Sequence, residues 1–272
     1  MRIFTLIVCL PAILAAQDPR EIVRRSVEID SKNVEVARNY TFLQRQELRE
    51  LDGSGKLKST HTQTLDVTML EGSPYQRLVA RDDQPLSPNE QKKEEDKLRK
   101  SVEQRRRETE DQRERRMADS ERRRKRQHEP MQELPDAFDF RLIGEERFDS
   151  GPAYVIDAMP KPGYKPRRPS AAYLPKVKAR LWISQNDYHW VKVEVETLDT
   201  ISFAGFLVRV SKGGRLTIEQ TRINNEVWMA KSVTLRASAR IALIKSLHEE
   251  LIITFTDYKK FQVDSRVVSE GQ

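Results

Sequence analysis

The chain has 272 residues, room for one large domain or two small ones, with 37% apolar and 33% charged residues. Its net charge of +7 suits anionic partners in general and selects none of them: nucleic acid, phospholipid headgroups or acidic proteins. No apolar run after Leu14 is long enough to span a bilayer as a helix, and a lone cysteine, Cys9, excludes a disulfide framework.

Met1 and Arg2 give a short positive start, Ile3 to Leu14 is apolar, and Ala15-Ala16 supplies small residues. This pattern predicts a secretory signal peptide over 1–16, cleaved near Ala16, and a periplasmic or secreted mature chain. Cleavage removes Cys9, and with it thiolate chemistry and cysteine metal sites.

Asp18-Pro19 opens an amphipathic helix, with Ile22, Val23, Val27, Ile29 and Val34 at roughly helical spacing. Tyr40 then begins a strand that ends near Leu51. Asp52-Gly53-Ser54-Gly55 turns it, and the return strand runs to Leu70 with Leu65, Val67 and Met69 on one face. After Gly72-Ser73-Pro74, Tyr75 to Ala80 forms a third strand.

The composition changes at Ser87. Ser87, Pro88 and Glu90 form a helix start with a capping box, opening a charged insertion over 87–129 that has no Gly or Pro from Asn89 to Glu129. Acids precede bases by four residues at Glu95/Arg99, Asp96/Lys100, Glu103/Arg107, Asp111/Arg115, Asp119/Arg123 and Glu121/Lys125. Each pair contributes about 0.2–0.5 kcal/mol. They predict one solvated helix of about 40 residues, roughly 60 Å long. Leu98, Val102 and Met117 are too few for a coiled-coil seam.

Strands resume beyond Pro135, through Phe148 and then Ala153 to Met159. A proline-rich basic loop, Pro160 to Pro175, is too rigid and polar for regular structure. Val177, Ala179, Leu181 and Ile183 alternate with polar neighbours, as do Val191, Val193 and Val195. A three-residue loop, Gln185 to Asp187, would set Trp182 opposite Trp190. Strands follow over Phe203 to Val210, Leu216 to Ile223, Val227 to Ile244 and Glu249 to Phe261. Such spacing predicts an antiparallel sheet curled into a barrel or half-barrel. Residues 17–272 thus read as a single domain carrying the insertion.

Catalytic signals are missing. His61, His128, His189 and His248 have no partner cluster, and His248-Glu249-Glu250-Leu251-Ile252 lacks the second histidine of a zinc-protease helix. No nucleophile elbow or phosphate loop occurs. No enzyme activity, metal or cofactor is expected. Arg105, Arg106, Arg107, Arg122, Arg123 and Arg124 are candidates for contact with a protein partner or an anionic membrane surface. Nucleic acid is not expected, because acids interleave the arginines, no aromatic residue is there to stack on bases, and export removes the chain from the cytoplasm. The sequence does not fix an oligomeric state.

Three stretches carry a family resemblance: Tyr154-Val155-Ile156-Asp157 after Ser150-Gly151; Val177 to Ser184 with the charged valine strand behind it; and Phe255 to Phe261. With the order of elements, they resemble the periplasmic outer-membrane lipoprotein carriers and sorting proteins (LolA/LolB-like) over roughly 19–267. The resemblance implies an α+β fold: an antiparallel sheet curled into an unclosed (half) β-barrel, with an N-terminal helix, here with a long charged helical insertion. It also implies a hydrophobic cavity for the acyl chains of lipoproteins or other lipids. The candidate lining residues are Phe42, Leu65, Val67, Tyr154, Ile156, Leu181, Ile183, Val193 and Val195. The alternative is an envelope interaction protein that uses the charged helix to bind its partner.

Overall fold

The structure, a computed structural model, describes residues 17–203, 208–241 and 245–261. The expected signal peptide lies outside them. Helix α1 (Pro19–Ala37) starts where Asp18 accepts the Arg20 N–H and Pro19 occupies the first turn. It buries Ile22, Val23, Ser26 and Asn33. The Asn33 amide fits across the backbone of Trp228: its Nδ2 donates to Trp228 O (2.7 Å) and its Oδ1 accepts from Trp228 N (2.8 Å).

The strands form one antiparallel sheet that does not close: β1 (Tyr40–Leu51), β2 (Leu57–Leu70), β3 (Ser73–Arg81), β4 (Gln84–Pro85), β5 (Phe138–Phe148), β6 (Gly151–Pro160), β7 (Val177–Ser184), β8 (Trp190–Thr197), β9 (Ile201–Phe203), β10 (Val208–Val210), β11 (Arg215–Ile223), β12 (Val227–Ile241) and β13 (Lys245–Lys260). The order is β4-β3-β2-β1-β13-β12-β11-β8-β7-β6-β5, with β10 beside β12 and β9 beside β10. The unclosed antiparallel sheet with an N-terminal helix agrees with the expected fold class. The expected strand from Phe203 to Val210 is split between β9 and β10, and 204–207 lie outside the described residues.

Strands β4 and β5 are consecutive in the chain and occupy opposite edges of the sheet. The charged segment between them therefore carries the chain from edge to edge. It is not one helix. α2 (Pro88–Arg106) begins with the expected capping box of Ser87 and Glu90. It stops at Arg107, and a second capping box, Thr109 with Gln112, starts α3 (Glu110–His128). A Thr-x-x-Gln start inside a charged run breaks the helix without glycine or proline. The ion pairs also differ from the expected ones. Four of them, Glu94–Lys97, Asp96–Arg99, Asp119–Arg122 and Glu121–Arg124, bridge three residues. Of the i, i+4 pairs, Glu121–Lys125 is formed, at 4.0 Å.

A 3-10 turn (Glu129–Glu133) and the short α4 (Leu134–Ala137) lead into β5. Glu133 is fully buried and organises the basic loop. It accepts from Tyr164 Oη (2.6 Å) and Arg167 N (2.9 Å), with Arg168 Nη1 at 3.6 Å. Burial pushes its carboxyl up, but the Tyr164 hydroxyl, the Arg167 N–H and the two guanidinium charges hold it below the ordinary carboxylate value. Burial and Glu133 push Tyr164 up to about 12. The loop is more regular than its sequence suggests, with 3-10 turns at Pro169–Ala171 and Leu174–Lys176 that bury Ala171 and Leu174.

The β7–β8 hairpin corrects the expected pairing. Ile183, not Trp182, stands opposite Trp190, and Trp182 opposes Lys192. Val191 is the extra residue of a bulge. It turns away from Val193 and packs with Trp182, Val155, Ala153 and Trp228 in a second cluster. Lys192 Nζ lies 4.5 Å from the Trp182 ring centroid.

Replacing Asn33 with Ala leaves the Trp228 N–H and carbonyl buried without partners. We expect Asn33→Ala to lower the unfolding free energy by about 2–4 kcal/mol. The change would be read as a shift in urea midpoint at constant slope.

Candidate functional site

The sheet presents one face to α1, and strand register decides what that face contains. Opposed residues in an antiparallel pair lie on the same side. A first row runs Leu142, Ile156, Leu181, Val193, Ile218, Val233 and Ile253. Beside it a second row runs Phe140, Ala158, Ala179, Val195, Leu216, Leu235, Leu251 and Leu48. Seven strands contribute to the first row and eight to the second, with no charged residue in either. The opposite face carries the intervening ladder Arg141, Asp157, Arg180, Glu194 and Thr217. There Arg180 Nε donates to Asp157 at 2.7 Å.

The two halves of the apolar face differ in cover. Over β5 to β8 the face, here including Phe138, is roofed by Ile22 and Val23 of α1 together with Ala137, Ala171 and Leu174. Ile156, Leu181 and Ile183 are buried in this cluster, with Tyr154, Val193 and Val195 partly buried against it. Tyr188 closes one side. Its ring lies 6.5 Å from that of Tyr154 and beneath the Arg25 guanidinium at 5.2 Å. Over β11, β12 and β13 the side chains Leu216, Ile218, Val233, Leu251 and Ile253 are only half-buried. Leu235 is 39% exposed.

The remaining lining candidates border this half-open region. Phe42 opposes Val67 and packs on Phe255 (5.6 Å) and Tyr258 (5.4 Å). This cluster includes Tyr40, Val227 and Met229 and is backed by Val36 and Ala37 of α1. Leu65 is partly buried between Gln44 and Leu78. The nine candidates thus fall in two groups. Ile156, Leu181, Ile183, Tyr154, Val193 and Val195 belong to the roofed half, and Phe42, Leu65 and Val67 lie across the gap. Reading strands one at a time missed the residues that join them: Leu48, Leu216, Ile218, Val233, Leu235, Leu251 and Ile253. The signal that could have found them is alternation in Leu216-Thr217-Ile218, Val233-Thr234-Leu235 and Leu251-Ile252-Ile253, once these strands are placed side by side.

The clefts are polar. One of about 590 Å³ lies between α2 and α3 among Lys100, Glu103, Arg107 and Glu108. Another of about 530 Å³ lies on the charged side of the sheet by Asp157, Arg180, Glu194 and Arg215. A third of about 370 Å³ lies between the Asp52–Gly55 and Lys212–Gly214 turns, beside Arg236 and His248. None is lined by the apolar rows alone. Among the described residues no group of three His, Cys, Asp or Glu side chains could hold a metal ion. No described helix is long and apolar enough to cross a membrane.

The arginine candidates are also divided. Arg105 Nη1 donates to Leu70 O (2.5 Å) and Ser73 O (3.3 Å), and its guanidinium lies 5.8 Å from the Tyr75 ring centroid. Arg124 pairs with Glu121 and, at 3.5 Å, with Glu35 of α1. These two are structural ties. Arg106, Arg107, Arg122 and Arg123 are exposed. Sequence reasoning missed Arg116, which donates to Ser73 Oγ (2.5 Å), Glu71 O (3.0 Å) and Glu108.

His189 lies at the α1 end of the sheet, stacked on Trp228 at 5.9 Å. Asp187 beside it accepts from Trp228 Nε1 (2.9 Å). Burial pushes the imidazole below its ordinary value, against the pull of Asp187 and Asp30 and with the help of Arg222.

No protein-family model matches the chain, and no curated protein does. Solved structures do. A domain described as an outer membrane lipoprotein-sorting protein from Vibrio parahaemolyticus is 11% identical, over 87% of this chain and 92% of that one, with a TM-score of 0.35. A DUF1329 family protein from Desulfovibrio piger is 10% identical over 89% and 93%, also at 0.35. A LolA superfamily protein from Nitrosomonas europaea is 10% identical over 89% and 92%, at 0.31.

The His189 shift has a definite sign. Its folded pKa is depressed, so the unfolded chain takes up a proton first as pH falls below the ordinary histidine value of about 6.5. Stability contributed by the neutral ring is complete above that value and is lost toward the folded pKa. Urea unfolding at pH 7 and pH 5 should show a lower midpoint at pH 5, with a smaller difference in His189→Asn. Asp187, also depressed, acts in a separate window below pH 4.

Proposed function

We propose that the chain is a non-catalytic periplasmic carrier that holds the acyl chains of lipoproteins or other lipids against the half-open apolar face between β8 and β1. The observation that carries this reading is the pair of uncharged rows that leave the cover of α1 and continue across β11, β12 and β13. Five strands at about 4.8 Å spacing make this stretch roughly 19 Å wide, comparable to an extended long fatty acyl chain. Each buried methylene contributes about 0.8 kcal/mol, so a chain laid along a row binds without any polar anchor.

In this reading Val193 and Val195 meet the ligand where the roof ends. Leu216, Ile218, Val233, Leu235, Leu251 and Ile253 form its bed, and Phe42, Leu65 and Val67 its far border. Ile156, Leu181, Ile183 and Tyr154 hold the roof in place. A folded scaffold with half-open aliphatic rows favours binding over catalysis.

The test is displacement of a fluorescent fatty acid, with lipid mass spectrometry on the purified chain. We expect saturable binding and about tenfold or greater loss in Leu235→Asp. Thr217→Asp, on the charged face, should bind as the parent chain does. A chain that carries no lipid and takes up no fatty acid would sink the proposal.

A further inference from the structure

In sequence the insertion alternates acid and base, and that interleaving argues against nucleic acid. Folding separates the two signs. Between 88 and 104 five Lys/Arg oppose five Asp/Glu, but between 105 and 126 eleven oppose six. The acids of this second part are partly drawn inward. Glu108, with a 13% exposed side chain, is held by Arg116. Glu121 lies under Arg124.

The body-facing residues of α3 are Arg116, Ser120, Glu121, Arg124 and His128, all partly buried. They follow the i, i+4 spacing of one helical stripe. Arg124 reaches Glu35, and His128 Nδ1 lies 3.8 Å from Asp30 of α1. The other side of the last two turns therefore presents Arg122, Arg123, Lys125 and Arg126, all exposed. The side chains of Arg122 and Lys125 are 63% and 72% accessible. Arg38, at the end of α1, adds a further exposed cation and acts on Glu121 across the helix pair. Two exposed acids lie among them, and each is already paired: Asp119 with Arg122 and Glu35 with Arg38 at 2.8 Å.

We infer that this face, Arg122, Arg123, Lys125 and Arg126 with Arg38 beside them, docks the protein on an anionic phospholipid surface. The chemistry favours a membrane over a folded acidic partner. Among its described residues the patch has no exposed aromatic or aliphatic anchor of the kind that dominates protein interfaces. Long flexible cations over two helical turns match a diffuse layer of phosphates, where each contributes independently and salt competes. The inference is independent of the acyl proposal, since no row residue takes part.

The experiment is flotation of the full chain with vesicles of phosphatidylglycerol in phosphatidylcholine, and with phosphatidylcholine alone. The apolar 3–14 stretch is present in every variant, so differences report the patch. The parent chain should partition onto anionic vesicles at about 0.05 M salt and release at about 0.5 M salt. The variant Arg122→Gln, Arg123→Gln, Lys125→Gln, Arg126→Gln should lose about 10²–10³-fold in anionic partitioning, with unchanged circular dichroism and fatty-acid binding. Arg122→Lys, Arg123→Lys, Arg126→Lys should partition as the parent does, because point charge suffices. Equal partitioning onto both vesicle types, or an unaffected quadruple variant, would overturn the inference. So would loss of binding in the lysine variant, which would mean a forked guanidinium contact with a protein or nucleic acid.

Discussion

The apolar face of the sheet is wider than the elements that cover it. Alternation along each strand forces every second side chain to the α1 side, and register aligns these residues into rows across the sheet. Burying such a face is the main favourable contribution to folding. Yet α1 with its neighbours Ala137, Ala171 and Leu174 roofs only the β5–β8 half. The buried core is therefore off centre. At its edge, Val193 and Val195 pass from packed interior to half-open surface along unbroken rows.

Position of the roof depends on polar contacts. Asn33 can satisfy Trp228 only at one depth and rotation of α1, because its amide has a single donor side and a single acceptor side. Glu133 does the same for the basic loop. Its buried charge is stabilised only while Tyr164, Arg167 and Arg168 are in place, and this holds Ala171 and Leu174 against the sheet. Apolar burial supplies the energy, and these polar contacts set where the cover stops.

Period-2 patterning made most strands legible, and Ser87-Pro88-Glu90 marked the start of α2. Other features depended on competition between local signals. The break at Thr109 was hidden because a capping box without glycine or proline resembles ordinary helix interior in a charged run. The bulge at Val191 was hidden because Val191, Val193 and Val195 look like one alternating set; Trp182 and Lys192 on the other side shift the register. Of the candidate site, the sequence revealed its two borders but not the bed between them. Neighbouring strands such as β1 and β13 lie about two hundred residues apart in sequence, so no local pattern records that Leu251 faces Leu48.

The same competition explains the charged helices α2 and α3. No described side chain of α2 or α3 is buried, so apolar burial does little to hold these helices down. The chain still has to cross from β4 to β5. It crosses on arginines: Arg105 and Arg116 bind carbonyls and a hydroxyl of the β2–β3 turn, where Glu71 and Gly72 adopt positive φ. Arg105 makes these bonds to backbone oxygens, and Arg116 adds to its own an ion pair with Glu108 between the two helices. Exposed ion pairs contribute about 0–1 kcal/mol each, and the far end at Arg124 and His128 rests on such contacts with α1. The crossing is thus fixed firmly near the α2–α3 junction and weakly where α3 ends beside α1. Any anionic surface that gathers Arg122 and Arg126 acts on the weaker end, next to the helix that roofs the apolar face.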